Sequence, residues 1–130
     1  MDYLNLIKEA KLAMQNSYSP YSNFAVGAAL ITKKGKVYKG CNIENASYGA
    51  TNCAERTALF SAIANGESEI EAMAIVSSGG EFTYPCGICR QVMAELMPNG
   101  KLIFSNDEKE YKVMTIDEIL PYSFTKEDIR

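Results

Sequence analysis

Apolar side chains recur at helical spacing in three stretches of the chain, about residues 2–15, 52–65 and 87–97. Asn52 stands where the N-cap of the second helix is expected, and Asn65-Gly66 is a stop signal at its other end. The third stretch ends at Pro98-Asn99-Gly100, a strong helix breaker. The predicted apolar stripes are Leu4, Ile7, Ala10 and Met14 in the first helix, and Ala54, Ala58, Leu59, Ala62 and Ile63 in the second.

Short apolar runs between these stretches predict strands. Residues 24–31 are almost continuously apolar, a second run covers 36–43, and the Lys-Lys-Gly sequence at 33–35 between them predicts a hairpin. Helices that alternate with buried strands indicate an α/β fold, and the hairpin requires a sheet that is mixed and not all parallel. We therefore predict a three-layer α/β/α sandwich around a mixed five-stranded sheet. The three remaining strands are predicted at 72–76, 101–104 and 111–114.

The composition fits one folded domain that spans residues 1–130. With 47% hydrophobic and 22% charged residues, a chain of this length buries roughly two thirds of the surface that it would expose when unfolded. No repeat or low-complexity linker divides it. No apolar run reaches the ~18 residues that a bilayer span needs, and the chain opens on Met1-Asp2-Tyr3 without the basic and apolar regions of a signal peptide. We expect no membrane partner and a cytoplasmic location.

The charge balance argues against a nucleic-acid partner. The net charge is -3 and the isoelectric point is about 5.0, whereas phosphate contacts require clustered Lys and Arg. The densest basic stretch, at residues 33–39, flanks the predicted hairpin turn and is expected to face solvent. Polynucleotide binding is therefore not expected.

The chain contains no histidine, which excludes every mechanism that is built on imidazole. Carboxylates, Lys, Tyr or a water activated by a metal must then move protons. The four cysteines are expected to be reduced in a cytoplasm, so their candidate roles are metal binding, redox chemistry or packing.

The spacing of three cysteines and one glutamate points to a catalytic zinc site. Cys53 precedes Glu55 by two residues at the start of the second helix, and Cys86 and Cys89 form a Cys-x-x-Cys motif at the start of the third. Catalytic zinc sites hold three protein ligands and leave the fourth position to water, whereas structural sites fill all four positions. Without histidine, three cysteines are the most plausible ligand set that keeps the fourth position open.

Two further side chains fit such a site. Glu55 can take a proton from a water at the metal and pass it to a substrate. Three thiolates leave the first shell of a zinc ion at net -1, and Arg56, three residues after Cys53 on the same helical face, is placed to compensate that charge. Arg90, next to Cys89, is a weaker candidate for the same role.

Three other interpretations stay open from the residues alone. Glu55 lies three residues after Asn52, where the glutamate of a capping box would lie. Cys86 and Cys89 could form a redox dithiol, although this leaves Cys53 unexplained. Cys41 could complete a structural four-cysteine site, in which case the chain would be a non-catalytic interaction module; its place in a predicted strand favours a buried apolar role.

With these motifs in view, the chain resembles the zinc-dependent cytidine deaminases, specifically the small homotetrameric type. The Cys-x-Glu and Pro-Cys-x-x-Cys pair specifies the deaminase superfamily, and the segment around Asn42 and Glu44 specifies the nucleoside branch. One departure is Thr83-Tyr84, where the family often has a smaller residue. The matching segments are 18–24 (YSPYSNF), 26–30 (VGAAL), 41–48 (CNIENASY), 53–56 (CAER), 85–91 (PCGICRQ) and the ending Leu120-Pro121 with Phe124.

The resemblance implies hydrolytic deamination of cytidine and deoxycytidine to uridine and deoxyuridine, with release of ammonia, in pyrimidine salvage. It implies one zinc ion per subunit and a homotetramer. A zinc deaminase of another amine, such as a nucleoside antibiotic or a purine base, is the nearest alternative. The implied roles are zinc binding by Cys53, Cys86 and Cys89, proton transfer by Glu55, ribose binding by Asn42 and Glu44, packing on the nucleoside by Phe24, reading of the pyrimidine edge by the main chain near Ala54, and contact with a neighbouring subunit's site by Phe124.

Overall fold

The computed structural model of the chain describes residues 2–106 and 110–129. Its secondary structure alternates helices and strands, as the sequence pattern predicts. The main elements, in chain order, are α1 (Tyr3–Met14), β1 (Val26–Thr32), β2 (Val37–Cys41), α2 (Ala54–Ala64), β3 (Ile70–Ser77), α3 (Gly87–Leu96), β4 (Lys101–Ser105), β5 (Tyr111–Thr115) and α4 (Ile116–Ile119); single 3₁₀ turns cover Tyr48–Ala50 and Lys126–Asp128.

The five strands form one mixed sheet in the order β2-β1-β3-β4-β5. All neighbouring strands are antiparallel except β3 and β4, which are parallel and are joined by the crossover through α3. The β1–β2 hairpin pairs Gly27 with Cys41 and Ile31 with Val37. The predicted mixed sheet of five strands is confirmed.

Helices cover both faces of the sheet, which confirms the three-layer architecture. Alternate residues of each central strand point to opposite faces, so Leu30 and Ile75 face one core while Ala29 and Ala74 face the other. The larger core includes buried residues of α2, α3 and α4, and the smaller core contains the buried face of α1. Both faces of the central strands are therefore buried, as expected for strands that read as continuous apolar runs.

The predicted apolar stripes are wrong at their edges. Leu4 is 52% exposed, whereas Leu6 and Ala13 join Ile7 and Ala10 in the core. The first helix has apolar side chains all around it, so more than one stripe satisfies helical spacing and only packing selects between them. Ile63 of α2 is likewise 38% exposed although its spacing places it beside the buried stripe.

Helix α2 begins one residue later than predicted, because Cys53 and not Asn52 occupies the N-cap position. The Asn52 side chain instead donates its Nδ2 hydrogen to Thr57 Oγ1 at 3.0 Å. Glu55 therefore occupies the second helical position and not the third, which removes the capping box that the spacing suggested.

Two glycines allow helices to lie directly on the sheet. A Cβ atom at Gly40 of β2 would lie 2.5 Å from the carbonyl oxygen of Ala54 and 2.5 Å from the backbone nitrogen of Ala58. A Cβ atom at Gly27 of β1 would lie 2.1 Å from the carbonyl oxygen of Ala10. The first turn of α2, which carries Cys53 and Glu55, thus rests against the backbone of β2.

Among the described residues, no helix is both long and apolar enough to cross a bilayer.

Candidate active site and metal centre

Three cysteine sulfurs meet where the N-termini of α2 and α3 come together. Cys53 is the N-cap of α2, Cys86 is the N-cap of α3, and Cys89 lies in the first turn of α3. The Cys53 and Cys86 Sγ atoms are 3.7 Å apart, those of Cys86 and Cys89 are 3.5 Å apart, and all three lie within 4.8 Å of one another. The parallel arrangement of β3 and β4, with α3 between them, brings the Cys-x-x-Cys motif to Cys53.

This donor set fits a zinc ion. Thiolates bind zinc at about 2.3 Å in a tetrahedron, so the sulfurs of one site lie about 3.8 Å apart. The two measured separations of 3.7 and 3.5 Å are close to that value. Among the described residues, only this group of His, Cys, Asp or Glu side chains could hold a metal ion, and it includes three residues. Three protein ligands leave one position open.

Cys41 lies outside this cluster. It ends β2, where it pairs with Gly27, and burial raises the pKa of its thiol. A raised pKa favours the neutral thiol, which is the form expected of a packed cysteine and not of a metal ligand. The described part of the chain therefore contains no four-cysteine site in which protein ligands would fill all four positions around the metal.

The electrostatics of the three sulfurs also favour a bound cation. Hydrogen bonds from Cys89, Arg56 and Cys86 lower the pKa of Cys53 to about 5, although burial opposes them. The pKa of Cys89 is raised far above its usual range, because it hydrogen-bonds Cys53, is buried and lies near Glu55. One thiolate thus suppresses the ionisation of its neighbour, and a cation is needed for all three to ionise together.

Arg56 contacts the sulfur cluster as the spacing suggested. Its Nη2 atom donates to Cys53 Sγ at 3.3 Å, from one turn further along α2. Its Nε atom is buried and, among the described residues, has no hydrogen-bond partner. The guanidinium therefore lies on the side of α2 that faces the sulfur cluster, and its positive charge is next to the Cys53 sulfur.

Among the described residues, Glu55 is the only charged residue that is buried, with 5% of its surface exposed. Burial raises the pKa of its carboxyl to about 7, with a smaller contribution from the Cys53 thiolate. A glutamic acid with a pKa near neutrality can both take and give a proton at physiological pH. The structure places this carboxyl beside the cluster at the floor of a cavity.

The cavity has a volume of about 260 Å³, just below the usual range of roughly 300–1,000 Å³ for small-molecule sites. It opens from the sulfur cluster toward the segments that precede β1 and follow β2. Of the predicted site residues, Phe24, Asn42, Glu44, Ala54, Glu55, Cys53 and Cys86 all line it. The other lining residues are Ser22, Val26, Thr51, Asn52, Thr83 and Tyr84.

Asn42 holds the segment that leads into β1. Its Oδ1 atom accepts a hydrogen bond from the Val26 backbone N–H at 2.9 Å and another from the Ser17 hydroxyl. Its Nδ2 atom donates to the carbonyl oxygen of Phe24 at 2.7 Å. An amide NH₂ has two hydrogens, so Asn42 retains a donor for a ligand in the cavity.

Glu44 closes the turn that precedes Phe24. Its Oε1 atom accepts hydrogen bonds from the Tyr21 and Ser22 backbone N–H groups, at 2.9 and 3.1 Å, and its Oε2 atom accepts from the Ser22 hydroxyl. These bonds, led by the one from the Ser22 side chain, lower the pKa of Glu44. The carboxylate is therefore ionised and fixed at the cavity wall. Both lone pairs of Oε1 are used, and Oε2 retains one for a ligand.

Ser22 is a site residue that the sequence reasoning missed. Its hydroxyl donates to Glu44 and accepts from the Phe24 backbone N–H at 3.1 Å, so it links the two predicted ligand contacts. The signal lay in the Tyr-Ser-Pro-Tyr-Ser segment. Tyr84, noted as a departure from the family, also lines the cavity, and its ring lies on Phe104 at a centroid distance of 4.9 Å.

Phe124 does not line this cavity in its own subunit. Its carbonyl oxygen accepts a hydrogen bond from Gln91 Nε2 at 2.6 Å, and the residue is 59% exposed. It borders a separate cavity of about 220 Å³ beside the C-terminal half of α3, with Ala94 and Pro98. A role for Phe124 at a catalytic site thus requires the site of another subunit.

Comparison with known proteins gives the same answer as the geometry. The family model for the cytidine and deoxycytidylate deaminase zinc-binding region matches residues 2–105. The chain is 52% identical to the cytidine deaminase of Halalkalibacterium halodurans, over 99% of this chain and 98% of that protein. It is 44% identical to that of Sporosarcina psychrophila, over 99% and 96%.

Solved structures agree. The fold superimposes on the crystal structure of cytidine deaminase from Burkholderia pseudomallei with a TM-score of 0.90, at 50% identity, over 95% of this chain and 100% of that one. For cytidine deaminase from Mycobacterium tuberculosis the TM-score is 0.84, at 36% identity, over 96% and 98%. The chain belongs to the zinc-dependent cytidine and deoxycytidylate deaminase family.

Proposed function

We propose that this chain, as one domain, is a zinc-dependent hydrolase that converts cytidine and deoxycytidine to uridine and deoxyuridine with release of ammonia. The observation that carries the proposal is a buried glutamic acid, Glu55, which lines a cavity together with Cys53 and Cys86 of the three-sulfur cluster. The high identity to cytidine deaminases over the whole chain supports the same substrate.

The residues of the chain divide the chemistry between them. When zinc is bound by Cys53, Cys86 and Cys89, it lowers the pKa of a water held on it and so supplies the nucleophile near neutral pH. Glu55 accepts one proton of the attacking water and donates it to ring nitrogen N3. It then moves the second proton to the departing amine, which leaves as ammonia. Arg56 withdraws charge from the thiolates and so preserves the Lewis acidity of the metal.

The walls of the cavity supply recognition of the nucleoside. Asn42 offers one amide hydrogen and Glu44 offers the remaining lone pair of Oε2, which are complementary to the hydroxyls of a ribose. Phe24 packs against the nucleoside, and the backbone near Ala54, at the buried start of α2, reads the pyrimidine edge. Because the same side chains organise the segment from Ser22 to Val26, binding of the sugar and placement of Phe24 are coupled.

We further propose a homotetramer in which Phe124 completes the site of a neighbouring subunit. Several apolar side chains beside the cavity are exposed in the single chain, among them Tyr48 at 77% and Ile88 at 62%. Ile88 lies between two proposed metal ligands, so a covering surface would shield the metal from solvent. We also propose a role in pyrimidine salvage, which follows from the proposed substrates, and a cytoplasmic location, where reducing conditions keep cysteines available as metal ligands.

An absorbance assay tests the reaction and its metal dependence together. We expect zinc-loaded protein to remove the absorbance band of cytidine at catalytic protein concentration, and a matched sample stripped by a strong chelator to be inactive until zinc is restored. Folded, zinc-loaded protein that leaves cytidine and deoxycytidine unchanged would refute the proposal and favour another amine substrate.

Cytidine 5′-monophosphate is the matched control substrate in that assay. Among the described residues that line the cavity there is no Lys or Arg, and the carboxylates of Glu44 and Glu55 oppose an added phosphate. We expect a much lower kcat/KM for the nucleotide than for the nucleoside. Equal values would show that a cationic group from elsewhere completes the site.

Mixing of two variant subunits tests the proposed role of Phe124. Phe124→Ala should raise KM, because each site loses the ring of its neighbour, while light scattering still gives four copies. Mixed tetramers of Phe124→Ala and Glu55→Gln subunits should contain sites with a restored low KM, since each Glu55→Gln subunit supplies the missing ring to a site with an intact proton shuttle. The control mixes Phe124→Ala with the double variant. No restoration of the low KM relative to this control would refute the proposed contact of Phe124 with a neighbouring site.

A further inference from the structure

Arg90 joins three parts of the molecule that no single element connects. It lies in the first turn of α3, one residue after Cys89. Its Nε atom donates to the carbonyl oxygen of Pro85 at 2.8 Å, and its Nη1 atom donates to the carbonyl oxygen of Ile119 at 2.9 Å. The side chain thus ties α3 to the segment before Cys86 and to the end of α4.

These contacts distinguish Arg90 from Arg56. Arg56 donates to a cysteine sulfur, whereas the Arg90 guanidinium donates to two backbone carbonyl oxygens. From its position next to Cys89, Arg90 was predicted as a weaker candidate for compensating the thiolate charge. Its geometry instead suits a mechanical role, since a planar guanidinium with several fixed donors can hold two carbonyls in one orientation.

Of the three proposed metal ligands, Cys86 has the least support from the core. Cys89 is buried and Cys53 is half-buried, but Cys86 is exposed. Cys86 follows the irregular segment 78–85 and caps α3 without a hydrogen bond from its own side chain. Its position therefore depends on the backbone immediately before it, and Pro85 is the residue whose carbonyl Arg90 holds.

Arg90 holds this backbone from two sides. Its own backbone N–H donates to the carbonyl oxygen of Cys86 at 3.0 Å, while its side chain donates to that of Pro85. Pro85 is buried, so its carbonyl would pay a desolvation cost without this partner. We propose that Arg90 is a positioning residue that holds Cys86 in place for the metal and thereby slows loss of the ion. This inference rests on the zinc site of the proposed function.

The neighbouring residue, Gln91, provides a matched control. It also reaches from α3 to the C-terminal segment, through the bond from its Nε2 atom to the carbonyl oxygen of Phe124. Among the described residues, its side chain makes no hydrogen bond to the segment before Cys86. Loss of Gln91 should therefore loosen the C-terminal segment alone. Loss of Arg90 should loosen the C-terminal segment and the metal ligand together.

The experiment measures the rate at which the zinc-loaded protein releases its ion to an excess of a coloured chelator. The test variant is Arg90→Met, which keeps most of the apolar stem and removes both donors. We expect release to accelerate about 10–100-fold, the usual range for loss of a group that orients a metal ligand. Arg90→Lys, which retains a single ammonium donor, should give an intermediate rate, and Gln91→Ala should release zinc at the rate of the unaltered protein.

Several results would overturn the proposal. One is an unaltered release rate in both Arg90 variants; another is equal acceleration in Arg90→Met and Gln91→Ala, which would trace the effect to the C-terminal segment. If Arg90→Met does not fold, Arg90→Lys decides in the same way. The melting temperatures of the zinc-free variants separate general destabilisation from a change at the ligand. Because zinc release needs no turnover, failure of the deaminase proposal would appear separately, in the absorbance assay.

Discussion

Glu55→Gln is expected to lower kcat for cytidine by about 10²–10⁴ while the protein keeps its fold and its zinc, since general acid–base catalysis contributes in that range. Glutamine has nearly the same shape but cannot accept and return a proton. The side chain is buried in the cavity and, in the proposed mechanism, serves two proton transfers in succession. The measurements are kcat by absorbance, zinc content by metal analysis, and the melting temperature.

Glu81→Gln makes the same chemical change at an exposed position in the segment that leads to Cys86. It should leave kcat, zinc content and melting temperature unaltered. Near-native turnover in Glu55→Gln would remove Glu55 from the mechanism. A variant that is inactive because it lacks zinc would show that the carboxyl supports the metal and not the proton transfer.

Cys86→Ala is expected to abolish zinc retention and activity together, because it leaves two of the three sulfurs. The residue is exposed, so its truncation leaves no cavity in the core and the protein should still fold. Zinc binding to the folded state raises stability by mass action. The melting temperature of the unaltered protein should therefore rise when zinc is added, and that of the variant should not.

Cys41→Ala is the matched control, since it removes a cysteine that lies outside the sulfur cluster. It should retain one zinc ion per chain and near-native turnover. Loss of zinc in this variant would instead support a four-cysteine site without an open position. The pair of variants thus decides between a catalytic and a structural metal.

Much of the candidate site could be predicted because its chemistry is local in sequence. The Cys-x-Glu and Cys-x-x-Cys motifs each occupy the start of one helix, so the proposed ligands and the proposed acid–base group are visible as short patterns. The strands could be predicted because strands buried on both faces are continuous apolar runs. The short helix α4 was missed, although Thr115 and Glu118 form a capping box that is visible in the sequence.

What could not be predicted depends on contacts between distant segments. Helix α2 starts one residue later than predicted, and the Asn52 side chain bonds Thr57 instead of capping the helix. Helix propensity alone does not reveal this hydrogen bond. The spacing in α1 allowed more than one buried apolar stripe, and packing against the sheet buries Leu6 and leaves Leu4 exposed. Arg90 contacts a carbonyl 29 positions further along the chain, so its partners follow from the fold and from no local motif.

The contact between Gly40 and the first turn of α2 limits how far Cys53 and Glu55 can move relative to the sheet. Helices usually rest on sheets through interlocking side chains, which can repack when one of them changes. Here backbone meets backbone, so the helix cannot shift toward the strand, and any side chain at residue 40 would force it away. The turn that carries Cys53 and Glu55 therefore has a fixed height above the sheet. A side chain at residue 40 is therefore expected to displace Cys53 and Glu55 together.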